Sequence, residues 1–175
     1  MIKVKNSIDI DEFYNLLEDS FPYYEIYEKS HFEKLFTNEN YTVNACYEDR
    51  KLIGIVTWWR FEKFIYLEHL AVDKKLRGNG YGSVILNNFI NSFDKPVVLE
   101  CEPPETEIAR RRLDFYISNG MIPNYEYKYV NPPMRKDSPE YDLVIMSSRN
   151  PLTREEFVEW KDNVSKIVYG CLALD

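Results

Sequence analysis

The residues with the clearest chemistry lie in one run, Leu70-Ala71-Val72-Asp73-Lys74-Lys75-Leu76-Arg77-Gly78-Asn79-Gly80-Tyr81-Gly82. An apolar strand enters a glycine-rich turn, and the turn opens a helix. That order suits an anion. The first turn of a helix leaves backbone N–H groups without partners, and its aligned peptide dipoles place partial positive charge there. Glycines let the backbone approach a diphosphate and adopt conformations that other residues avoid. Arg77 and Lys75 are expected to add charge beside the same anion.

Two common anion-binding turns do not fit. A P-loop ends in Gly-Lys-Ser/Thr, which is absent here. The dinucleotide fingerprint needs glycines at its first, third and sixth positions. Counted from Gly78 the sixth residue is Ser83, and counted from Gly80 it is Ile85. Glu100, at the end of the next strand, does imitate that fold's ribose-binding acid, so a nucleotide-dependent oxidoreductase stays as a minor alternative.

The elements that must position this turn follow from periodicity. Met1 to Val4 reads as a strand. Ser7 or Asp9 caps a helix to about Glu18, with Phe13, Leu16 and Leu17 on one face. A second helix runs near Ser30 to Phe36. Tyr41–Glu48, Leu52–Phe61 and Ile65–Val72 read as strands joined by short polar links, hence antiparallel. Helices follow at Gly80–Asn91 and at about Glu105–Asn119, the latter stopped by Gly120. A buried strand from Lys95-Pro96 to Cys101 lies between them. Strands near Tyr125–Val130 and Tyr141–Ser147 come next. Thr153 and Glu156 form a capping box for a last helix reaching about Tyr169. The fold class is therefore α/β, with a mixed, mainly antiparallel central sheet flanked by helices, in one domain over residues 1–175.

Composition narrows the function classes. The chain has 175 residues, 45% of them hydrophobic, and a formal charge of -7. That charge argues against a general nucleic-acid binder. No apolar run approaches the ~20 residues of a membrane span, and the N-terminus lacks a signal-peptide stretch. Cys46, Cys101 and Cys171 are scattered, as expected of reduced thiols in a cytoplasmic protein. Two histidines and three lone cysteines do not make a zinc set, so no metal is expected.

Arg77-Gly78-Asn79-Gly80-Tyr81-Gly82 resembles the signature of the GCN5-related N-acetyltransferases, Gln/Arg-x-x-Gly-x-Gly/Ala after a Leu-Ala-Val-type strand end. Arg110 to Met121 is similar to the family's later helix, where a Tyr lies four residues before a Gly; Tyr116 holds that position. Met121 departs from the more usual Phe. The resemblance spans about Tyr41 to Met146 and implies the acyl-CoA N-acyltransferase fold, with acetyl-CoA as cosubstrate. By resemblance, the backbone of Leu70, Ala71 and Val72 pairs with the pantetheine arm on a strand that splays from its neighbour. The N–H groups of Arg77, Gly78, Asn79, Gly80, Tyr81 and Gly82 bind the diphosphate, and Ser83 adds a hydroxyl.

The resemblance also implies direct acetyl transfer to a primary amine. Tyr116 is the candidate general acid, since a phenol can protonate the leaving thiolate. Glu68 is the candidate base. Two residues before Leu70, it is expected on the same strand face, and partial burial raises a carboxyl pKa. A salt-bridged or substrate-anchoring acid is the equal alternative. Glu100 and Glu102 share a face and suit a cationic amine. His69 is expected to point away from Glu68, and His31 has no assigned role. At most one or two of Arg110, Arg111 and Arg112 can reach the cofactor's 3′-phosphate. A non-catalytic acyl-CoA-binding module remains the second reading. The acceptor is a small molecule or peptide amine of unread identity. The C-terminal helix, with Phe157, Trp160, Val164 and Ile167, packs on the sheet or on a second subunit of a homodimer.

Overall fold

The computed structural model describes residues 1–135 and 137–170; Cys171 lies outside them. Strand β1 is Lys3–Lys5, and helix α1 is Ile10–Glu18. The Asp9 side chain caps α1 by accepting from the N–H groups of Asp11 and Glu12, and Phe13, Leu16 and Leu17 are buried. A 3₁₀ turn, Tyr23–Glu25, precedes α2, Lys29–Leu35. Then come β2 (Tyr41–Glu48), β3 (Lys51–Arg60), β4 (Ile65–Val72) and α3 (Tyr81–Asn91). After these follow β5 (Val97–Cys101), α4 (Glu107–Ser118), β6 (Met121–Pro123), β7 (Tyr129–Val130) and β8 (Asp142–Ser148). Helix α5, Arg154–Asn163, starts on the expected Thr153–Glu156 capping box and passes into a π-helical segment, Val164–Tyr169.

The strands order as β1-β2-β3-β4-β5-β8-β6, with β7 paired to β8. Among the described residues, only β4 and β5 run parallel; the other pairs are antiparallel. This is the mixed, mainly antiparallel sheet read from the sequence, and it is not the parallel sheet of a dinucleotide domain. One face packs on α1, α2 and α5 through Phe13, Phe32 and Trp160. The other packs on α3 and α4 through Leu86, Phe89 and Leu113. Phe157, Trp160 and Val164 are buried against the sheet of this same chain, which settles where the C-terminal helix packs.

One expected strand is corrected. Of Tyr125–Val130, only Tyr129–Val130 forms a strand, and β6 was not foreseen. The reason is Asn124, which is fully buried. Its amide donates to Ile145 O and Ser147 Oγ, and its carbonyl accepts from Leu152 N–H. A side chain so engaged pins a turn where the apolar pattern suggested continuing strand.

Two irregularities in β4 build the site. First, β4 pairs with β5 only from Ile65 to Leu67, yet it runs on to Val72. Beyond Leu67 the strands part, freeing the β4 backbone on that side. Second, the register against β3 steps from Thr57↔His69 to Trp58↔Leu67, so Glu68 is an extra residue in a β-bulge. After the bulge the alternation of faces is reversed.

Candidate active site

A cavity of about 720 Å³ forms a groove between the β4 edge and the turn before α3. It is lined by Leu70, Ala71 and Val72, then by Arg77, Gly78, Gly80, Tyr81, Gly82 and Ser83. These are the residues that the sequence singled out, save Asn79. Asn79 Nδ2 donates to Leu76 O at 3.0 Å and so shapes the turn rather than the groove wall. Gly78 and Gly80 both have φ of +81°, the left-handed region that favours glycine. A Cβ at either would meet nothing within 4 Å, so open space lies beside the backbone. Gly80 is the N-cap of α3 and no side chain caps that helix, which leaves its first N–H groups for a ligand. Behind the groove wall, β3 approaches β4 closely at Gly54: a Cβ there would stand 2.5 Å from Ala71 O.

The basic residues are only partly where they were expected. Arg77 lines the groove, but its Nε donates to Val72 O at 3.0 Å and its Nη2 to Ser20 Oγ at 2.9 Å. It braces strand against turn. Lys75 is outside the groove and lines a separate cavity with Lys74 and Asp73. Arg111 and Arg112 reach the groove wall, whereas Arg110 turns to Pro104 O. Three consecutive helical residues point in different directions, as helical geometry requires.

A second, smaller cavity of about 80 Å³ adjoins the groove. Phe21, Leu70, Arg112 and Tyr116 line both, so Tyr116 stands at their junction. Burial pushes the Tyr116 hydroxyl well above its ordinary range, so it is protonated at any physiological pH.

Four carboxyl groups, Glu25, Glu68, Glu100 and Glu102, line this cavity. Glu68 and Leu70 do not share a face, contrary to the expectation from regular alternation. Glu68 enters the face of Tyr27 and Trp59, accepting from the Tyr27 hydroxyl at 2.8 Å and from Trp59 Nε1 at 3.1 Å. Leu70 packs with the opposite core. Nor does His69 point away from Glu68: Glu68 Oε2 lies 3.7 Å from His69 Nδ1. The bulge explains both corrections. Burial lifts the Glu68 carboxyl to about 7, against the pull of its two hydrogen bonds. Burial lowers His69 to about 4, so its imidazole is neutral; its Nδ1 meets Thr57 Oγ1 at 2.9 Å.

Glu100 accepts from the Tyr169 hydroxyl at 2.9 Å, and burial raises it to about 7 despite the phenols around it. It therefore belongs to the small cavity and not to a ribose site. Glu102 pairs with Arg112 at 2.6 Å. Sequence reasoning missed Glu25. Burial, and then the Glu102 carboxylate beside it, lift Glu25 to about 7. Nothing around Glu25 in the sequence announced this, because loop packing places it. Arg135 Nε holds Ile26 O at 2.8 Å, and Ser138 Oγ holds Tyr24 O at 3.2 Å.

Residues 10–113 match the Acetyltransferase (GNAT) family, and the chain belongs to that family. YjbC of Bacillus subtilis, described as an acetyltransferase, is 30% identical over 105 residues, which are 59% of this chain and 53% of YjbC. The chain thus matches about half the length of that curated relative. A Bacteroides thetaiotaomicron structure, described as a GNAT-family acetyltransferase, is 29% identical. It has a TM-score of 0.86 over 97% of this chain and 98% of that one. An Elizabethkingia anophelis GNAT acetyltransferase with acetyl-CoA bound is 17% identical and shares the fold. Its TM-score is 0.58, over 84% of this chain and 97% of that one.

Proposed function

We propose that the protein transfers an acetyl group from acetyl-CoA directly to a primary amine. The observation that carries this reading is the junction at Tyr116. A groove with free strand edge and uncapped helix N-terminus meets a carboxylate-lined cavity there. The groove suits the donor. Backbone groups of Leu70, Ala71 and Val72 would hold the pantetheine arm. N–H groups from Gly78 to Ser83 would hold the diphosphate, with Arg111 as a nearby cation. A backbone amide of β4 would polarise the thioester oxygen. The acetyl-CoA bound in the Elizabethkingia neighbour supports the choice of donor.

The chemistry needs one proton removed and one supplied. The amine nitrogen bonds to the thioester carbon, the C–S bond breaks, and the sulfur leaves with the electron pair. Tyr116 protonates that sulfur. Glu25 takes the proton from the amine: it lines the acceptor cavity, its Oε1 accepts no hydrogen bond among the described residues, and it titrates near 7. Glu68, first expected to be the base, has each oxygen engaged by a donor. It fits better as the hydrogen-bond acceptor that orders Tyr27 and Trp59. The test is calorimetric binding of acetyl-CoA, followed by amine-dependent release of CoA. Binding with turnover is expected. Binding without turnover over a broad amine panel would favour the non-catalytic module, and no binding would refute both readings.

A further inference from the structure

Four carboxyl groups and one guanidinium face the small cavity. The guanidinium, on Arg112, is already engaged by Glu102. Glu68 has its own two donors. That leaves two buried oxygens, Glu25 Oε1 and Glu100 Oε1, with no hydrogen bond among the described residues. A buried carboxylate oxygen without a donor is costly, so Glu25 Oε1 awaits a proton or a cationic ligand; at Glu100 the hydroxyls of Tyr66, Tyr129 and Tyr169 favour the ionised form, which leaves a buried negative charge for a cation to meet.

These oxygens belong to separate charge groups. Glu25 senses Glu102 and Arg112, near the junction with the groove. Glu100 sits among Tyr66, Tyr129 and Tyr169, and it is Glu68 that feels its charge. Leu67 pairs with Leu99 just where β4 and β5 part, so Glu68 and Glu100 lie side by side at the start of the gap. The cavity therefore has an acidic outer position at Glu25, on the Arg112 side that adjoins the groove, and an acidic inner one at Glu100. Tyr141 feels the charge of both Glu25 and Glu100, and Leu143 adds apolar wall to the same cavity, a lining suited to methylenes.

We propose that the acceptor is a short aliphatic diamine, its reacting nitrogen between Tyr116 and Glu25 and its second, protonated nitrogen against Glu100. This rests on the acetyl-transfer reading and adds the substrate class. Tyr169, delivered by the π-helical segment after α5, fixes the Glu100 carboxylate through its hydroxyl and so positions the inner site. The small volume, about 80 Å³, disfavours bulky ring amines.

The experiment compares putrescine with n-butylamine as acceptors for the full chain with acetyl-CoA. The kcat/KM ratio should favour putrescine by about 30-fold, the scale of one buried charge pair. In Glu100→Gln the ratio should fall to about threefold or less, with acetyl-CoA affinity retained as proof of folding. If that variant does not fold, calorimetric binding of the two amines to wild-type protein saturated with CoA makes the same comparison. A wild-type ratio near one overturns the proposal, as does a ratio that survives Glu100→Gln. Turnover of neither amine by protein that binds acetyl-CoA overturns the diamine alone. Failure to bind acetyl-CoA overturns the transfer reading with it.

Discussion

Glu68 and His69 are adjacent in sequence and enter the same face of the sheet, Glu68 Oε2 standing 3.7 Å from His69 Nδ1. The distance is that of an ion pair, but the protonation states are not. Burial holds His69 at about 4 and Glu68 at about 7. Between those values both are neutral, and above them only the carboxylate is charged. The contact is a carboxyl group beside a neutral imidazole, placed there by one extra residue in β4.

Three buried carboxyl groups make the stability of the protein depend on pH. Glu25, Glu68 and Glu100 each rise from 4.5 to about 7 on folding. The native state thus binds their protons more tightly than the unfolded chain does. Their stabilisation is complete below the unfolded value and is lost as pH rises through about 7. His69 opposes this between about 4 and 6.5, one group against three. The Tm of the ligand-free protein should fall from pH 5 to pH 8, and Glu100→Gln should flatten the slope. A Tm that climbs across that window would contradict the burial of these carboxyl groups.

Tyr116→Phe removes the hydroxyl at the junction and leaves the ring packing on α4. It should lower kcat by about a hundredfold, the usual worth of a positioned general acid. Acetyl-CoA affinity should change by less than about twofold, since the groove keeps its backbone donors. Stopped-turnover assays beside calorimetry separate the two. A variant with full kcat at saturating amine removes Tyr116 from the reaction.

Two glycines test the groove from opposite sides. Gly80 has φ of +81° and open space beyond it, so Gly80→Glu strains the turn and puts a carboxylate where the diphosphate should lie. Acetyl-CoA binding should become undetectable by calorimetry. Gly54→Ala acts from behind, with its Cβ 2.5 Å from Ala71 O. It should cost about 1–3 kcal/mol of stability, as overpacking does, and weaken binding by displacing the β4 edge. Chemical denaturation of that variant measures the first effect. Unchanged stability would mean that β3 and β4 can part there freely.

Much of this was legible in the sequence for a physical reason. The Arg77–Gly82 turn and the apolar strand before it are local, so residue order alone specifies them. The mixed sheet also followed, because link lengths decide between antiparallel hairpins and crossovers. What escaped was non-local. The bulge at Glu68 depends on how β3 and β4 register, and alternation counted from Leu70 gave the wrong face. Asn124 broke a strand through partners in β8 and at Leu152. Glu25 reached the cavity through a loop held by Arg135, more than a hundred residues away. Lys75 looked like an anion ligand by charge alone, and the short 3₁₀ turn Lys74–Leu76 carried it out of the groove.

A base at Glu25 should show in the pH dependence of turnover. If Glu25 accepts the amine proton, it must be ionised, and its carboxyl titrates near 7 because burial and the Glu102 charge both disfavour the anion. Wild-type kcat at saturating diamine, where the bound ammonium keeps Glu100 ionised, should therefore rise with pH through about 7 and level off above it. Glu25→Gln should lower the plateau by about a hundredfold and remove that limb from kcat. Glu68→Gln keeps an acceptor for the Tyr27 hydroxyl, so it should leave the limb in place. Its position should shift only slightly, because Glu68 is not among the charges that set the Glu25 titration. The pH–rate profiles of the two variants, measured side by side, decide the matter. A limb that persists in Glu25→Gln and vanishes in Glu68→Gln would return the base to β4.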